Sequence, residues 1–292
     1  MDCILNMKKS KIISEKLEIN VTNRCNLSCR GCSHLSPICT QHRFNIDKFR
    51  LSLNKLSQVF HCQTVRLLGG EPFLVANLLE IIDIVRKSNI CDYIAIVSNG
   101  LLIDKKHTQI LQNIDVLEIS DHHVGIDIDY IKTLAKGNCK LQILDFEGFR
   151  ESYSEQGTID TNLIEQIYQT CLISKIWKCY NLEDGWFYKC PQVHVLKTIK
   201  NLLPDGVNVL FAADLKNDLQ NYIDSKCPLS ACKYCLSGVG QFYKQQQINR
   251  KNWREKQDRT TEDMLDYELL NKLKIRANSN NHCVKSIVSK EK

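Results

Sequence analysis

Short apolar runs alternate with helix-like stretches through the first half of the chain. The runs are Leu17–Val21, Thr64–Leu68, Tyr93–Ser98, Asp115–Ser120 and Lys140–Phe146. They are mostly β-branched or Leu-rich and bounded by turn residues, so each predicts a strand. Between them lie amphipathic patterns. Val75, Leu78, Leu79, Ile82 and Val85 share one helical face, and Phe49, Leu53, Leu56 and Phe60 share another. Shorter helical patterns cover 104–113 and 127–135. Alternation of this kind implies parallel strands joined by right-handed crossovers. Five such strands predict an α/β fold, a partial (β/α) barrel, with an open doubly wound sheet as the alternative.

The pattern changes after Glu147. A helical stretch near 163–176 leads into Lys178–Cys190, which predicts a hairpin turning at Glu183-Asp-Gly185. A further helix, a strand at 207–212 and a cysteine-rich segment at 227–235 follow. From Gln241 the chain is polar and rich in Lys and Arg, with one helix expected over 261–275. The expected divisions are an extension at 1–16, a barrel core at 17–150, a small cysteine-bearing domain at 151–240 and a basic, partly helical tail at 241–292.

Composition narrows the function classes. The chain has 292 residues, 43% of them hydrophobic and 25% charged, which is ordinary for a globular protein. No run of 18 or more apolar residues predicts a membrane span, and the N-terminus lacks the pattern of a secretory signal. The net charge of +6 is mild and argues against a nucleic-acid partner. The fifteen cysteines are an odd number in a long chain without a signal. That favours a reducing cytoplasm, where clustered cysteines usually bind metal.

The cysteines fall into two sets. Cys25, Cys29 and Cys32 form a CxxxCxxC run directly after the first predicted strand. Three thiolates suit an iron-sulfur cluster with one iron left open, on the loop face where β/α barrels carry their chemistry. Zinc is the alternative, with His34 or Cys39 as fourth ligand. Cys179, Cys190, Cys232 and Cys235 make a Cys₄ set, with Cys227 as a substitute, that could hold zinc or a 4Fe-4S cluster. Cys3, Cys62, Cys91, Cys139 and Cys171 read as buried apolar residues or bystanders.

Other polar groups gather on the same rim. Gly69-Gly70-Glu71-Pro72 follows the second strand, where glycines permit close backbone approach and Glu71 can accept from an ammonium group. Strand–turn–helix punctuation explains it equally. Ser98-Asn99-Gly100 ends the third strand and Ser120-Asp121-His122-His123 the fourth. They could hold a ribose or a carboxylate, and turn chemistry also accounts for Ser-Asn-Gly. His122 and His123 read as exposed loop histidines.

Together these motifs resemble the radical S-adenosylmethionine (radical SAM) superfamily over about residues 16–150. The cysteine loop resembles its defining motif. Gly69 to Pro72 resemble the GGE motif that contacts the cosubstrate's amino group. Ser98, Asn99 and Ser120 resemble its ribose and carboxylate contacts. One departure is Gly31, where the family often has an aromatic residue against the adenine. The later cysteines are similar to the twitch domain, a shortened SPASM domain with one auxiliary cluster.

The resemblance implies two 4Fe-4S clusters and S-adenosylmethionine, which yields a 5′-deoxyadenosyl radical that abstracts a substrate hydrogen. It implies a net oxidation of a small molecule, such as a sugar or aminocyclitol alcohol, with peptide or protein side-chain modification as the alternative. An electron donor such as flavodoxin or ferredoxin is the implied partner. Asp121 and Glu147 are candidate acid–base residues by position alone.

Overall fold

Five expected strands line up as one parallel sheet. The computed structural model describes residues 11–40, 44–135, 137, 139–254 and 258–278. Strands β1 (Ile12–Thr22), β2 (Phe60–Gly69), β3 (Cys91–Ser98), β4 (Val116–Asp121) and β5 (Lys140–Asp145) pair in sequence order, each parallel to its neighbour. Helices α1 (Ile46–Leu56), α2 (Leu78–Ser88), α3 (Thr108–Gln112) and α4 (Ile128–Leu134) make the crossovers. This is the expected α/β partial barrel, and it removes the open doubly wound alternative. Helix α1 starts where the Asn45 side chain accepts from Lys48 N, and it buries Phe49, Leu53 and Leu56. Helix α2 buries Leu78, Ile81, Ile82 and Val85 against the sheet.

Strand alternation separates two faces. Leu17, Ile19, Val65, Leu67, Ile94, Ile96, Leu117 and Ile119 point outward into one apolar core under the helices. The opposite positions, Glu18, Arg66 and Glu118 among them, point into the barrel interior.

The hairpin at 178–190 is present, as β7 (Tyr180–Glu183) and β8 (Trp186–Tyr188). It continues the barrel sheet across the boundary expected at 150. β7 pairs parallel with β1, Leu17 opposite Tyr180, on the edge away from β2. Gly185 has φ +82, as the tight turn demands. The strand expected over 207–212 is shorter, β9 (Val207–Asn208), and adds to β8.

Residues beyond 150 build two further apolar clusters. One joins Tyr188, Cys190, Val193, Leu196, Leu229 and Cys235 to Leu35 of the first cysteine loop. Its helix is α6 (Gln192–Lys200), while α7 (Leu215–Asp224) buries Leu215 and Leu219 in the barrel core and reaches this cluster through Tyr222. The other packs α5 (Thr161–Gln169) against the C-terminal residues Met264, Leu265, Leu270 and Leu273.

The single helix expected over 261–275 is two, α9 (Thr261–Met264) and α10 (Tyr267–Asn278), with α8 (Arg250–Arg254) before them. Asp266 causes the break: its Oδ1 accepts from Leu269 N and starts a new helix, while Arg150 holds its Oδ2 at 3.0 Å. Residues 241–254 and 258–278 therefore belong to the fold. β10 (Phe242–Lys244) pairs antiparallel with β6 (Gly148–Arg150). Cys3, most of the expected extension and residues 279–292 lie outside the described residues.

Candidate active site

The loop after β1 is docked on the end of β2 through backbone contact. Gly70 N donates to Thr22 O and Glu71 N to Arg24 O, both at 2.7 Å. A Cβ on Gly69 would stand 2.2 Å from Thr22 O, and one on Gly70 2.0 Å from Arg24 O. Only glycine permits this approach. The sequence pair Gly69-Gly70 is thus what places Cys25, Cys29 and Cys32 over the barrel rim.

Glu71 turns inward to the protein. Its carboxylate is fully buried and accepts from Phe73 N at 3.0 Å, Ser98 Oγ at 2.8 Å and Asn99 N at 2.9 Å. Burial raises its pKa, against the pull of those donors. Pro72 opens a short 3₁₀ turn. Asn99 Nδ2 donates to Asn26 Oδ1 at 2.7 Å and lies 3.8 Å from Cys25 Sγ, tying the end of β3 to the cysteine loop.

Of the expected cosubstrate contacts, Gly69, Gly70, Ser98, Asn99 and Ser120 line a cavity of about 690 Å³ together with the three cysteines. Glu71 and Pro72 do not; Glu71 instead fastens the rim from behind.

The donor set around the three sulfurs fits thiolates. Cys25 Sγ accepts from Leu27 N at 3.4 Å. Cys29 Sγ accepts from Gln247 Nε2 at 3.1 Å and Gln245 Nε2 at 3.5 Å. Backbone amides of Ser36 and His34 serve Cys32. Without a ligand, burial pushes the Cys25 thiol up to about 12 and raises Cys32 as well, so metal binding there releases protons. Among the described residues no three His, Cys, Asp or Glu side chains converge on one ion's position, and Cys39 donates to His34 O at 3.6 Å. His34 lines the cavity, where burial takes its pKa down to about 4.

Gly31 explains its own departure from an aromatic residue. It has φ +75, and a Cβ there would sit 2.9 Å from Phe149 Cβ. The cavity wall beside it carries Phe146 and Phe149, nearly parallel with centroids 5.7 Å apart, and His122 at 5.3 Å from Phe149. Burial lowers the His122 pKa. The expectation of two exposed loop histidines thus fails for His122 and holds for His123, which pairs with Asp145 at 2.8 Å on the surface.

Below the rim the interior carries a charged trio. Arg66 donates Nη1 to Glu18 Oε1 at 3.1 Å, Nε to Glu118 Oε1 at 3.0 Å and Nη2 to Glu118 Oε2 at 2.5 Å. Burial raises the Glu18 pKa, opposed by Arg66. The signal for it was present: charged residues at inward positions of apolar strands. Asp121 and Glu147 do not reach this interior. Asp121 Oδ1 accepts from His123 N at 2.8 Å in a turn, and Glu147 is exposed on a side hollow beside Phe242.

Cys190 has three other cysteines near it, and Cys179 is not among them. Besides burial, Cys171, Cys235 and Cys232 are the neighbours that raise the Cys190 pKa. Each sulfur has a backbone donor: Ser174 N to Cys171 at 3.4 Å, Leu229 N to Cys232 at 3.4 Å, Ser237 N to Cys235 at 3.3 Å, and Gln192 N to Cys190. Cys179 stands apart, its thiol hydrogen-bonded to Glu18 and close to Lys16 and Arg66.

The register of β7 on β1 causes this, because Leu17 opposite Tyr180 sets Cys179 beside Lys16 and Glu18. Cys171, read from the sequence as a buried apolar residue or a bystander, is buried and starts a π turn over Leu172–Ile176. Cys227 is exposed and offers only its carbonyl, to Lys189 Nζ at 3.5 Å. Cys62 and Cys139 are buried in the barrel core as expected.

Residues 19–151 match the family model described as the Radical SAM superfamily. Over 88 residues the chain is 31% identical to a probable GTP 3′,8-cyclase of Methanocaldococcus jannaschii, a match covering 30% of this chain and 29% of that protein. The chain thus spans less than a third of that relative's length. Among solved structures it resembles native anSMEcpe with bound AdoMet, at TM-score 0.45 and 15% identity over 91% of this chain and 97% of that one. It also resembles BtrN in complex with AdoMet and 2-DOIA, at TM-score 0.44 and 14% identity over 77% and 94%. No helix among the described residues is long and apolar enough to cross a membrane.

Proposed function

From the radical SAM superfamily domain carried at residues 19–151, we propose that this chain is a radical SAM oxidoreductase. Its proposed substrate is a small polar molecule, a sugar or aminocyclitol alcohol. Cys25, Cys29 and Cys32 hold the first 4Fe-4S cluster. Cys171, Cys190, Cys232 and Cys235 hold a second. When bound, the first cluster and S-adenosylmethionine supply one-electron reduction and a 5′-deoxyadenosyl radical, and the second supplies an electron acceptor.

The chain's own residues bind, orient and exclude water. Gly69 and Gly70 dock the cysteine loop on the rim and line the cavity where the cosubstrate's amino-acid end would bind. Ser98, Asn99 and Ser120 border the same cavity. Phe146 and Phe149, nearly parallel, offer an apolar wall suited to a purine ring, with His122 tilted beside them, in place of a side chain at residue 31. The interior below presents Glu18, Glu118, Gln142 and Thr64 to a substrate.

The observation that carries the substrate class is the Glu18–Arg66–Glu118 trio. Arg66 is already matched by two carboxylates, so the interior favours hydroxyl and amino groups over phosphates. A nucleoside triphosphate, which the names of the curated relatives suggest, fits this wall poorly. A shared apolar cluster supports a working partnership between the two cysteine sets, because Leu35 and Cys32 pack in it with Cys190, Cys232 and Cys235. We place the protein in the cytoplasm, served by a flavodoxin- or ferredoxin-type donor.

Anaerobic incubation of the reduced, iron-loaded protein with S-adenosylmethionine and a panel of sugar and aminocyclitol alcohols tests this. A product two hydrogens lighter, with 5′-deoxyadenosine formed alongside, is expected. Turnover of a peptide with none of the alcohols changed would replace this substrate class with the peptide one.

A further inference from the structure

We infer that Gln247 and Gln245 raise the reduction potential of the first cluster by hydrogen bonding to Cys29. The inference rests on the proposed reading of Cys25, Cys29 and Cys32 as cluster ligands. The C-terminal segment that carries these glutamines was expected to be a polar tail. It instead lies as a strap across the cysteine loop.

The strap is held by its backbone. Cys29 and Gln247 form an antiparallel bridge. Arg30 N donates to Gln246 O at 2.8 Å, and Ile248 N donates to Ser28 O at 2.9 Å. Just upstream, β10 is paired with β6, and the Arg30 guanidinium lies 3.6 Å from the centre of the Tyr243 ring. The contacts of Ser28, Cys29 and Arg30 with this strap join positions more than 200 residues apart in the chain.

Side-chain alternation along an extended strand sends Gln245 and Gln247 to the same face. Both reach Cys29 Sγ, at 3.5 and 3.1 Å. Gln246, between them, accepts from Arg30 Nη1 at 3.4 Å instead. The orientation of the Gln247 amide is fixed by a second contact: Ser28 N donates to its Oε1 at 2.7 Å, which leaves Nε2 for the sulfur.

Cys29 is 7% exposed, so little water competes for its sulfur. Donors to a ligating thiolate spread its negative charge and favour the reduced, more negative cluster. Their loss makes the cluster harder to reduce. A strap that only pinned the loop would leave the potential unchanged when the amide donor is removed without adding charge.

Gln247→Leu and Gln245→Leu are those replacements; Gln247→Glu keeps the Ser28 contact and removes the donor, with the effect of its charge added. The readout is the midpoint potential of the first cluster, followed by electron paramagnetic resonance during a redox titration. The first cluster is the one whose signal changes when S-adenosylmethionine is added.

Gln247→Glu is expected to lower the reduced fraction at a fixed potential about tenfold, a shift of ~59 mV for a one-electron couple. Gln247→Leu should shift it in the same direction with no added charge. Gln245→Leu, which has no part in the Ser28 contact, should give a smaller shift and serves if either change at 247 lowers iron loading. Midpoints equal to wild type in all the loaded variants overturn the inference alone. A wild-type protein with no signal responsive to S-adenosylmethionine overturns the cluster reading, and the inference with it.

Discussion

The Glu71 carboxylate accepts the Ser98 hydroxyl at 2.8 Å, so the turn after β2 is fastened to the end of β3. Asn99 N shares the same carboxylate, and Asn99 in turn reaches Asn26 in the cysteine loop. Three chain segments that border the cavity are therefore aligned through one buried acid.

Glu71→Gln should loosen that alignment. An amide keeps one acceptor and places a donor opposite a backbone or hydroxyl donor. The cost of a buried unsatisfied group is about 1–3 kcal/mol. Denaturant unfolding should show that loss, with weaker retention of iron at the first cluster. Unchanged stability would mean that Glu71 does not hold the rim.

Cys171 and Cys179 should behave in opposite ways. Cys171→Ala should remove one of two four-iron clusters, taking the iron content from about eight to about four per chain. Cys179→Ala should keep the full content, because that thiol faces Glu18 in the barrel interior. Iron and sulfide analysis after anaerobic reconstitution reads both. Full iron in Cys171→Ala with loss in Cys179→Ala would restore the ligand set expected from the sequence.

That proposed exchange bears on what was legible in the sequence and what was not. The strands of the barrel and the cysteine loop could be read because local patterning and spacing define them. The apolar runs at 17–21 and 64–68 need only their own residues to declare a strand, and Gly69-Gly70 announces a close approach whatever crosses it. The choice between Cys171 and Cys179 depends on the register of β7 against β1, which joins residues 163 positions apart and leaves no trace in local spacing. Gln245 to Gln247 were hidden for the same reason. A polar stretch reads as solvated until a distant loop is known to lie against it.

Glu183 should make stability fall as pH rises. It is buried in β7, 3.6 Å from His194, and burial raises its pKa well above the ordinary 4.5. Below 4.5 the carboxyl is protonated in both states. Above it the unfolded chain releases the proton while the folded chain retains it. The folded state therefore loses stability up to its own higher pKa, by as much as about 1.4 kcal/mol per pH unit. Glu183→Gln removes this dependence. Urea unfolding from pH 5 upward should show the variant gaining on wild type. A constant difference across that range would remove Glu183 as the source.

The most direct measurement is reductive cleavage of S-adenosylmethionine by the anaerobically reconstituted, chemically reduced protein. Wild type should form 5′-deoxyadenosine and methionine, Cys29→Ala should form neither, and Cys171→Ala should still form both. No 5′-deoxyadenosine from the iron-loaded wild type, or equal amounts from Cys29→Ala, would contradict the assignment of the loop at Cys25, Cys29 and Cys32.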